Sequence, residues 1–214
     1  MSPGPDAGRA RALYERYAAN YDKRPTVRGI LALQRRAIET LALGPGDRVL
    51  DVACGTGLAF AELERRVGAG GVVVGVDLSG AMLAQARERV RDQGWDNVRL
   101  VESAVQDADL GQDAFDAALF SFTHDVLQSG AAVEAVVRAV RPGGRIATTG
   151  IQWAPRWLVP VNAAVWIGAR RYVTTFEGFE RPFARLGEQL ENVQVARRWL
   201  GSMYVVGGRV PGAR

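Results

Sequence analysis

The chain has 214 residues, a formal charge of +4 from 27 Lys and Arg against 23 Asp and Glu, and 48% hydrophobic residues, enough for one domain with a sizeable core. One cysteine (Cys54) and one histidine (His124) exclude an internal disulfide, a dithiol redox pair and a cysteine-clustered or histidine-rich metal site; no metal is expected, and a reducing, cytoplasmic setting is. Nearly every cation is arginine, with Lys23 the only lysine, and they are scattered, which permits an anionic partner or a membrane surface without requiring either.

Met1 to Gly8 lacks an apolar core and reads as a loose tail rather than an export signal, leaving a single domain over residues 9–214. Tyr14, Tyr17, Ala18 and Tyr21 fall at i, i+3, i+4 and i+7, which predicts a helix from about Ala10 to Tyr21. A second helix, Ile30 to Leu43, stops at Gly44-Pro45-Gly46. Arg48–Val52 reads as a strand, and the helix after it shows Phe60, Leu63 and Val67 on one side. Val72–Val76 is an unbroken apolar run, the pattern of a strand buried on both faces of a parallel sheet. Met82, Leu83, Ala86 and Val90 mark a helix, and Val98–Val101 and Phe115–Phe120 read as strands. A helix through Val133, Val136, Val137 and Val140 ends at Arg141-Pro142-Gly143-Gly144, before a strand at Arg145–Thr149. A helix after Pro160 and another across Phe183–Leu190 precede two strands near Val193–Arg197 and Met203–Val206. The alternation predicts an α/β, doubly wound, mostly parallel sheet with a C-terminal antiparallel hairpin. The apolar stretch Ile151–Ala169 is interrupted by Gln152, Arg156, Asn162, Pro155 and Pro160, which argues against a spanning helix.

The densest chemical signal is Val49-Leu50-Asp51-Val52-Ala53-Cys54-Gly55-Thr56-Gly57, answered by Gly75-Val76-Asp77. An apolar strand running into a glycine turn, with a carboxylate about 20 residues on, is how an α/β sheet holds a nucleoside-bearing molecule. Phe60 stands where a dinucleotide loop carries its third glycine, and Asp51 inside the motif would repel a phosphate. Two carboxylates at neighbouring strand ends suit S-adenosylmethionine (SAM), which carries a sulfonium, an amino group and a ribose diol.

With these residues placed, the chain resembles a class I SAM-dependent methyltransferase. The matching segments are Asp51–Gly57, Gly75–Met82, Asp113-Ala-Phe-Asp116 and Arg141-Pro-Gly-Gly144. Tyr14–Asp22 resembles the N-terminal helix of the branch that methylates quinone precursors and phosphatidylethanolamine. The resemblance implies a Rossmann-like, seven-stranded sheet with N-terminal lid helices over residues 9–43. It implies that Asp51 and the backbone of Ala53, Gly55 and Gly57 hold the methionine part of SAM, that Asp77 takes the ribose, and that Leu78 and Met82 flank the adenine. Ser103-Ala104 aligns where many members carry Asp-Ala at the adenine edge, with Asp107 a substitute one turn on, and Ser121 is the last contact carried over. Tyr21 would close over the methionine end. S-adenosylhomocysteine would be the product. Structural readings stand beside these: Met82 as plain core, Cys54 as a buried spacer, the tyrosines as ordinary packing.

Transfer from a sulfonium is an in-line displacement, so alignment, exclusion of water and removal of a proton are what a protein must supply. His124, just past the Phe115–Phe120 strand, titrates near neutrality and is the candidate base; the alternative is a histidine that caps a helix or binds backbone. Residues 151–187 read as a substrate-pocket insertion. Trp153, Trp157, Trp166, Tyr172, Phe176, Phe179 and Phe183 gather there with Arg156, Arg170 and Arg171, to wall an apolar acceptor, to meet a lipid surface, or to pack as core. The leading expectation is methyl transfer to O, N or C of a small, largely apolar or amphipathic metabolite by a monomer or homodimer. Lipid head groups or quinone precursors are the alternative acceptors, with peripheral membrane contact. A SAM-using enzyme that does not methylate, such as a cyclase, and a pure binding module remain. No nucleic-acid partner is expected: Phe120-Ser-Phe-Thr-His124 is no base-methylating motif, and no basic stripe carries interleaved aromatics.

Overall fold

A computed structural model describes residues 6–18, 21–22 and 27–212. Two helices, α1 (Ala7–Tyr17) and α2 (Val27–Leu41), lead into the alternation β1 (Arg48–Val52), α3 (Phe60–Val67), β2 (Val72–Asp77), α4 (Gly80–Gln93), β3 (Val98–Glu102), β4 (Phe115–Ser121), α5 (His124–Gln128), α6 (Gly130–Ala139), β5 (Val140–Ile151). Then come α7 (Val159–Ala169), α8 (Ala184–Gly187), β6 (Glu191–Arg198) and β7 (Met203–Arg209). The seven strands form one sheet in the order β3-β2-β1-β4-β5-β7-β6. The first five are parallel, and β7 is antiparallel to both β5 and β6. The expected α/β, Rossmann-like sheet with a C-terminal hairpin is therefore the observed one.

The continuous apolar strands are buried because helices cover both faces. Alternation along β1 sends Leu50 and Val52 to the layer of Leu127, Val133 and Val136, and Val49 to the layer of Ile38, Phe60, Leu63 and Leu83. Strand order reverses between β1 and β4, so their carboxyl ends open a crevice, the place where such sheets bind ligands.

Several expected boundaries move, each for a local reason. Asp6 caps α1 by accepting a hydrogen bond from the Arg9 N–H at 2.9 Å, so Gly8, assigned to a loose tail, lies in the first turn; residues 1–5 are outside the described set. α1 ends at Tyr17, so Tyr21 is not on it, although its ring lies 6.4 Å from that of Tyr14. Arg141–Gly144 does not separate α6 from β5: the chain rejoins the sheet at Val140 and bulges before Arg145. A Cβ at Gly144 would come within 2.8 Å of two backbone oxygens, those of Arg141 and Asp116. The bulge meets Asp116, which accepts from the Arg141 guanidinium at 2.7 Å and from the Arg48 N–H at 2.8 Å. Two of the motif segments, Asp113–Asp116 and Arg141–Gly144, thus join each other at the amino end of the sheet and set register there. The helix expected across Phe183–Leu190 is one turn, α8.

Candidate functional site

The crevice holds a cavity of about 130 Å³. Its floor is the turn after β1. Ala53, Gly55 and Gly57 all take positive φ (51°, 57° and 76°), so a strained residue, Ala53, sits in the lining. At Gly55 a Cβ would meet nothing within 4 Å, whereas at Gly57 it would strike the Phe60 ring at 2.5 Å, and Gly75 is closed off by Phe60 and Cys54 at 2.8 Å. Phe60 thus fills the ground a third glycine would leave free, and the loop is wedged tightly against it.

Asp77 ends β2 over this turn. One carboxylate oxygen accepts from the Gly55 N–H and the other from the Ser79 N–H, each at 2.8 Å. Ser79 in turn caps α4, accepting from the Met82 N–H at 3.3 Å, which orients Leu78 and Met82 along the cavity wall. Burial raises the Asp77 pKa against these hydrogen bonds. Asp51 is more extreme: desolvation, then repulsion from Asp77, lifts it from 3.8 to about 8. No cation among the described residues neutralises either acid, so Asp51 holds its proton at neutral pH, and a positively charged ligand would favour its release.

The opposite wall comes from the end of β4 and from α5. Phe122 has φ 58°, and its N–H donates to the Thr149 carbonyl at 2.8 Å. This strained turn aims Ser121, Thr123 and His124 at the cavity. Ser121 Oγ, Thr123 Oγ1 and, from α2, Gln34 Oε1 are buried without a hydrogen-bond partner, and the buried His124 ring has the backbone of Glu177 and Thr175 beside it. Buried polar groups are rarely left so, and three such atoms around one cavity suit a polar ligand. Burial lowers the His124 pKa, opposed by Asp125 and by the nearby Glu177 and Thr175 backbone, and its ring packs edge-on to Phe179 at 4.8 Å. Asp125 does not pair with it: both carboxylate oxygens accept from the Thr174 N–H, at 2.9 and 3.2 Å.

The roof is α1. The Tyr14 hydroxyl donates to the Tyr172 carbonyl at 3.1 Å, Arg11 Nε to the Leu78 carbonyl at 3.2 Å, and the Asp6 N–H to Thr174 Oγ1 at 3.2 Å. Asp22 accepts from Thr56 Oγ1 at 2.7 Å and pairs with Arg89, so the segment after α1 is latched to the glycine turn and to α4.

Of the residues singled out in the sequence, Tyr21, Ala53, Gly55, Asp77, Leu78, Met82, Ser121 and His124 meet in the lining. Asp51, Gly57, Ser103 and Ala104 are not in it. Asp51 shares the strand face of Val49 and keeps its proton at neutral pH. Gly57 faces Phe60. The Ser103 hydroxyl donates to the Ala104 carbonyl at 2.9 Å, and Asp107 is exposed. Gln34 and Thr123, also in the lining, were missed. Tyr14, from the tyrosine stripe, and Tyr172, from the aromatic group of residues 151–187, also reach the lining. Among the described residues no group of three His, Cys, Asp or Glu side chains could hold a metal ion.

Comparison with known proteins agrees with this geometry. Residues 49–144 match the model of the methyltransferase domain family. The match runs from β1 to the bulge at the start of β5 and covers less than half of the chain. The chain is 34% identical over 139 residues to the ubiquinone/menaquinone biosynthesis C-methyltransferase UbiE of Idiomarina loihiensis, covering 63% of this chain and 55% of that one. A homologue of the same description from Teredinibacter turnerae is 34% identical, covering 65% and 58%. The chain therefore spans little more than half the length of the curated relatives it matches. Among solved structures, the domain superposes on a SAM-dependent methyltransferase from Aquifex aeolicus with a TM-score of 0.60 and 21% identity, over 96% of this chain and 98% of that one. It also superposes on geranyl diphosphate C-methyltransferase from Streptomyces coelicolor, in complex with Mg2+, geranyl-S-thiolodiphosphate and S-adenosyl-L-homocysteine, with a TM-score of 0.65 and 20% identity over 84% and 75%. These structural likenesses show the fold.

Proposed function

We propose that the chain transfers a methyl group from SAM to O, N or C of a small, largely apolar metabolite that carries a polar group at the reacting end. The observation that carries this reading is the Asp77 carboxylate, gripped by the N–H groups of Gly55 and Ser79 at the edge of a cavity whose floor is acidic and uncompensated. Bound there, SAM would supply an electrophilic methyl on a cationic sulfur; the S–CH3 bond breaks as the bond to the acceptor forms, and the acceptor's proton leaves.

Asp77, which lines the cavity, would accept from the ribose hydroxyls beside its two backbone bonds, and Leu78 and Met82 would flank the base. The field of Asp77, and of Asp51 once the donor has expelled its proton, favours the cationic donor over its neutral product, which helps the product leave. Ser121, Thr123 and Gln34 would orient the polar end of the acceptor. His124, kept neutral by burial, would take the acceptor's proton on a ring nitrogen. The α1 roof, held by Tyr14 and Asp22, would keep water from the sulfonium.

A quinone precursor or other lipid-borne acceptor is the second reading. The relatives named for quinone biosynthesis favour it, as does the aromatic wall of Trp153, Phe176 and Phe179, whose rings lie 5.1 to 5.5 Å apart. Incubation with SAM and candidate acceptors, read by product mass, tests both: a gain of one methyl group with matching S-adenosylhomocysteine is expected. A product without that gain would point to cyclase-type chemistry and against methyl transfer.

A further inference from the structure

Helix α7 contradicts its surroundings. The stretch Trp157–Ala169 contains no charged residue, and a helix apolar all round belongs in an interior. Yet within α7 only Ala169 is buried, while Trp157 is 77%, Val159 67%, Ile167 53% and Trp166 46% exposed. A second apolar prominence stands beside it. The turn between β6 and β7 shows Trp199 and Leu200 73% and 67% exposed, both held in the left-handed region at φ 50° and 56°, a conformation bulky residues rarely accept. The segment 152–156 ties the two together. Asn162 of α7 accepts from the Ala154 N–H at 2.9 Å, Gln152 Nε2 donates to the Gly201 carbonyl at 2.8 Å, and a Cβ at Gly201 would meet the Pro155 ring at 3.2 Å.

The rim is cationic. Arg156, Arg170 and Arg171 flank α7, and Arg197 and Arg198 precede the turn, all exposed. The Arg170 guanidinium lies over the Trp166 ring at 4.7 Å. Glu177 and Glu180 belong to the neighbouring loop. Tryptophans beside apolar bulk with arginines around them match the layering of a bilayer interface with anionic head groups. A second copy fits less well, since two such faces brought together would oppose their arginine rims. Eleven residues of helix reach about 16 Å, half the hydrocarbon thickness, and no described helix is long and apolar enough to cross a membrane.

We propose that α7 and the Trp199–Gly201 turn form one docking face that lies in the surface of an anionic bilayer, from which a lipophilic acceptor enters the cavity. A row of packed rings joins the face to the site: Trp153, adjoining Ala154, stacks on Phe176 at 5.5 Å and packs on the fully buried Phe179 at 5.1 Å, which meets His124, and entry would need these rings to part. The entry route rests on the methyl-transfer reading; the docking does not.

Sedimentation of the full chain with phosphatidylglycerol-rich and with pure phosphatidylcholine vesicles, at about 0.1 M salt where charges still act over ~10 Å, tests it. Binding is expected to the anionic vesicles and to be weaker for the neutral ones. The double variant Trp157→Ser/Trp199→Ser should lose about tenfold or more of that affinity while its melting temperature stays unchanged. Failure of the wild-type chain to sediment with either vesicle overturns the proposal, as does a double variant that binds like wild type. A concentration-dependent dimer abolished by the same substitutions would give the face to a second copy. SAM binding is titrated separately: vesicle binding without SAM binding overturns the entry route and the methyl-transfer reading together and leaves the docking face supported.

Discussion

Asp77 closes β2 with each carboxylate oxygen already accepting a backbone N–H, so it builds the turn it serves. Replacing it with Asn puts an amide N–H against one of those donors and removes a charged acceptor; SAM affinity should fall at least about tenfold, the equivalent of ~1.5–3 kcal/mol, with some loss of melting temperature. Asp51 has a different signature. Its folded carboxyl keeps its proton up to about 8, against 3.8 ordinarily. The folded state therefore binds the extra proton between these values, and stability falls as pH rises across that window. A cationic ligand should expel the proton. Below pH 8, titration with SAM in buffers of different ionisation heat should show proton release and affinity that rises with pH; buffer-independent heat would mean that Asp51 does not sense the ligand. For His124, burial lowers the pKa, so the neutral base survives to pH values below the ordinary value of about 6.5. Turnover should hold across neutrality and drop on the acid side. His124→Ala should cost about 10²–10⁴-fold in kcat with SAM binding unchanged, and unaltered turnover would remove the base from the mechanism.

At the scale of elements, Phe60 is the wedge under the glycine turn, fully buried and in reach of both Gly57 and Gly75. Phe60→Ala should destabilise the fold by about 3–5 kcal/mol, measured by denaturant unfolding; a loss below ~1 kcal/mol would show that the turn does not depend on it. The central strands were legible because parallel strands buried on both faces are unbroken apolar runs. α5 was not: five residues show no period, and His124 was placed only as lying just past the strand. The start of β5 was hidden because Arg-Pro-Gly-Gly looks like a terminator, whereas the bulge returns the chain to the sheet. Asp6 was assigned to a tail although it is a good helix cap, because no apolar period precedes Ala10. In the site, Gly55 and Asp77 follow from spacing across two successive β-turn-α units, and Leu78 and Met82 from the family resemblance. Gln34, Thr123 and Tyr172 come from three separate segments, and only tertiary packing brings them to the cavity.

The whole molecule places one polar, acidic crevice at the reversal of strand order and one apolar, arginine-rimmed face beside it, with a wall of aromatic rings between. The latches from α1 and Asp22 close the crevice from the other side. The account depends on the crevice being shaped for a cationic nucleoside donor. Isothermal titration of the purified chain with SAM and with S-adenosylhomocysteine, alongside the Asp77→Asn variant, tests this directly. Saturable binding of one donor per chain, weakened at least about tenfold in the variant, is the predicted result; no heat and no shift in melting at millimolar SAM would contradict it.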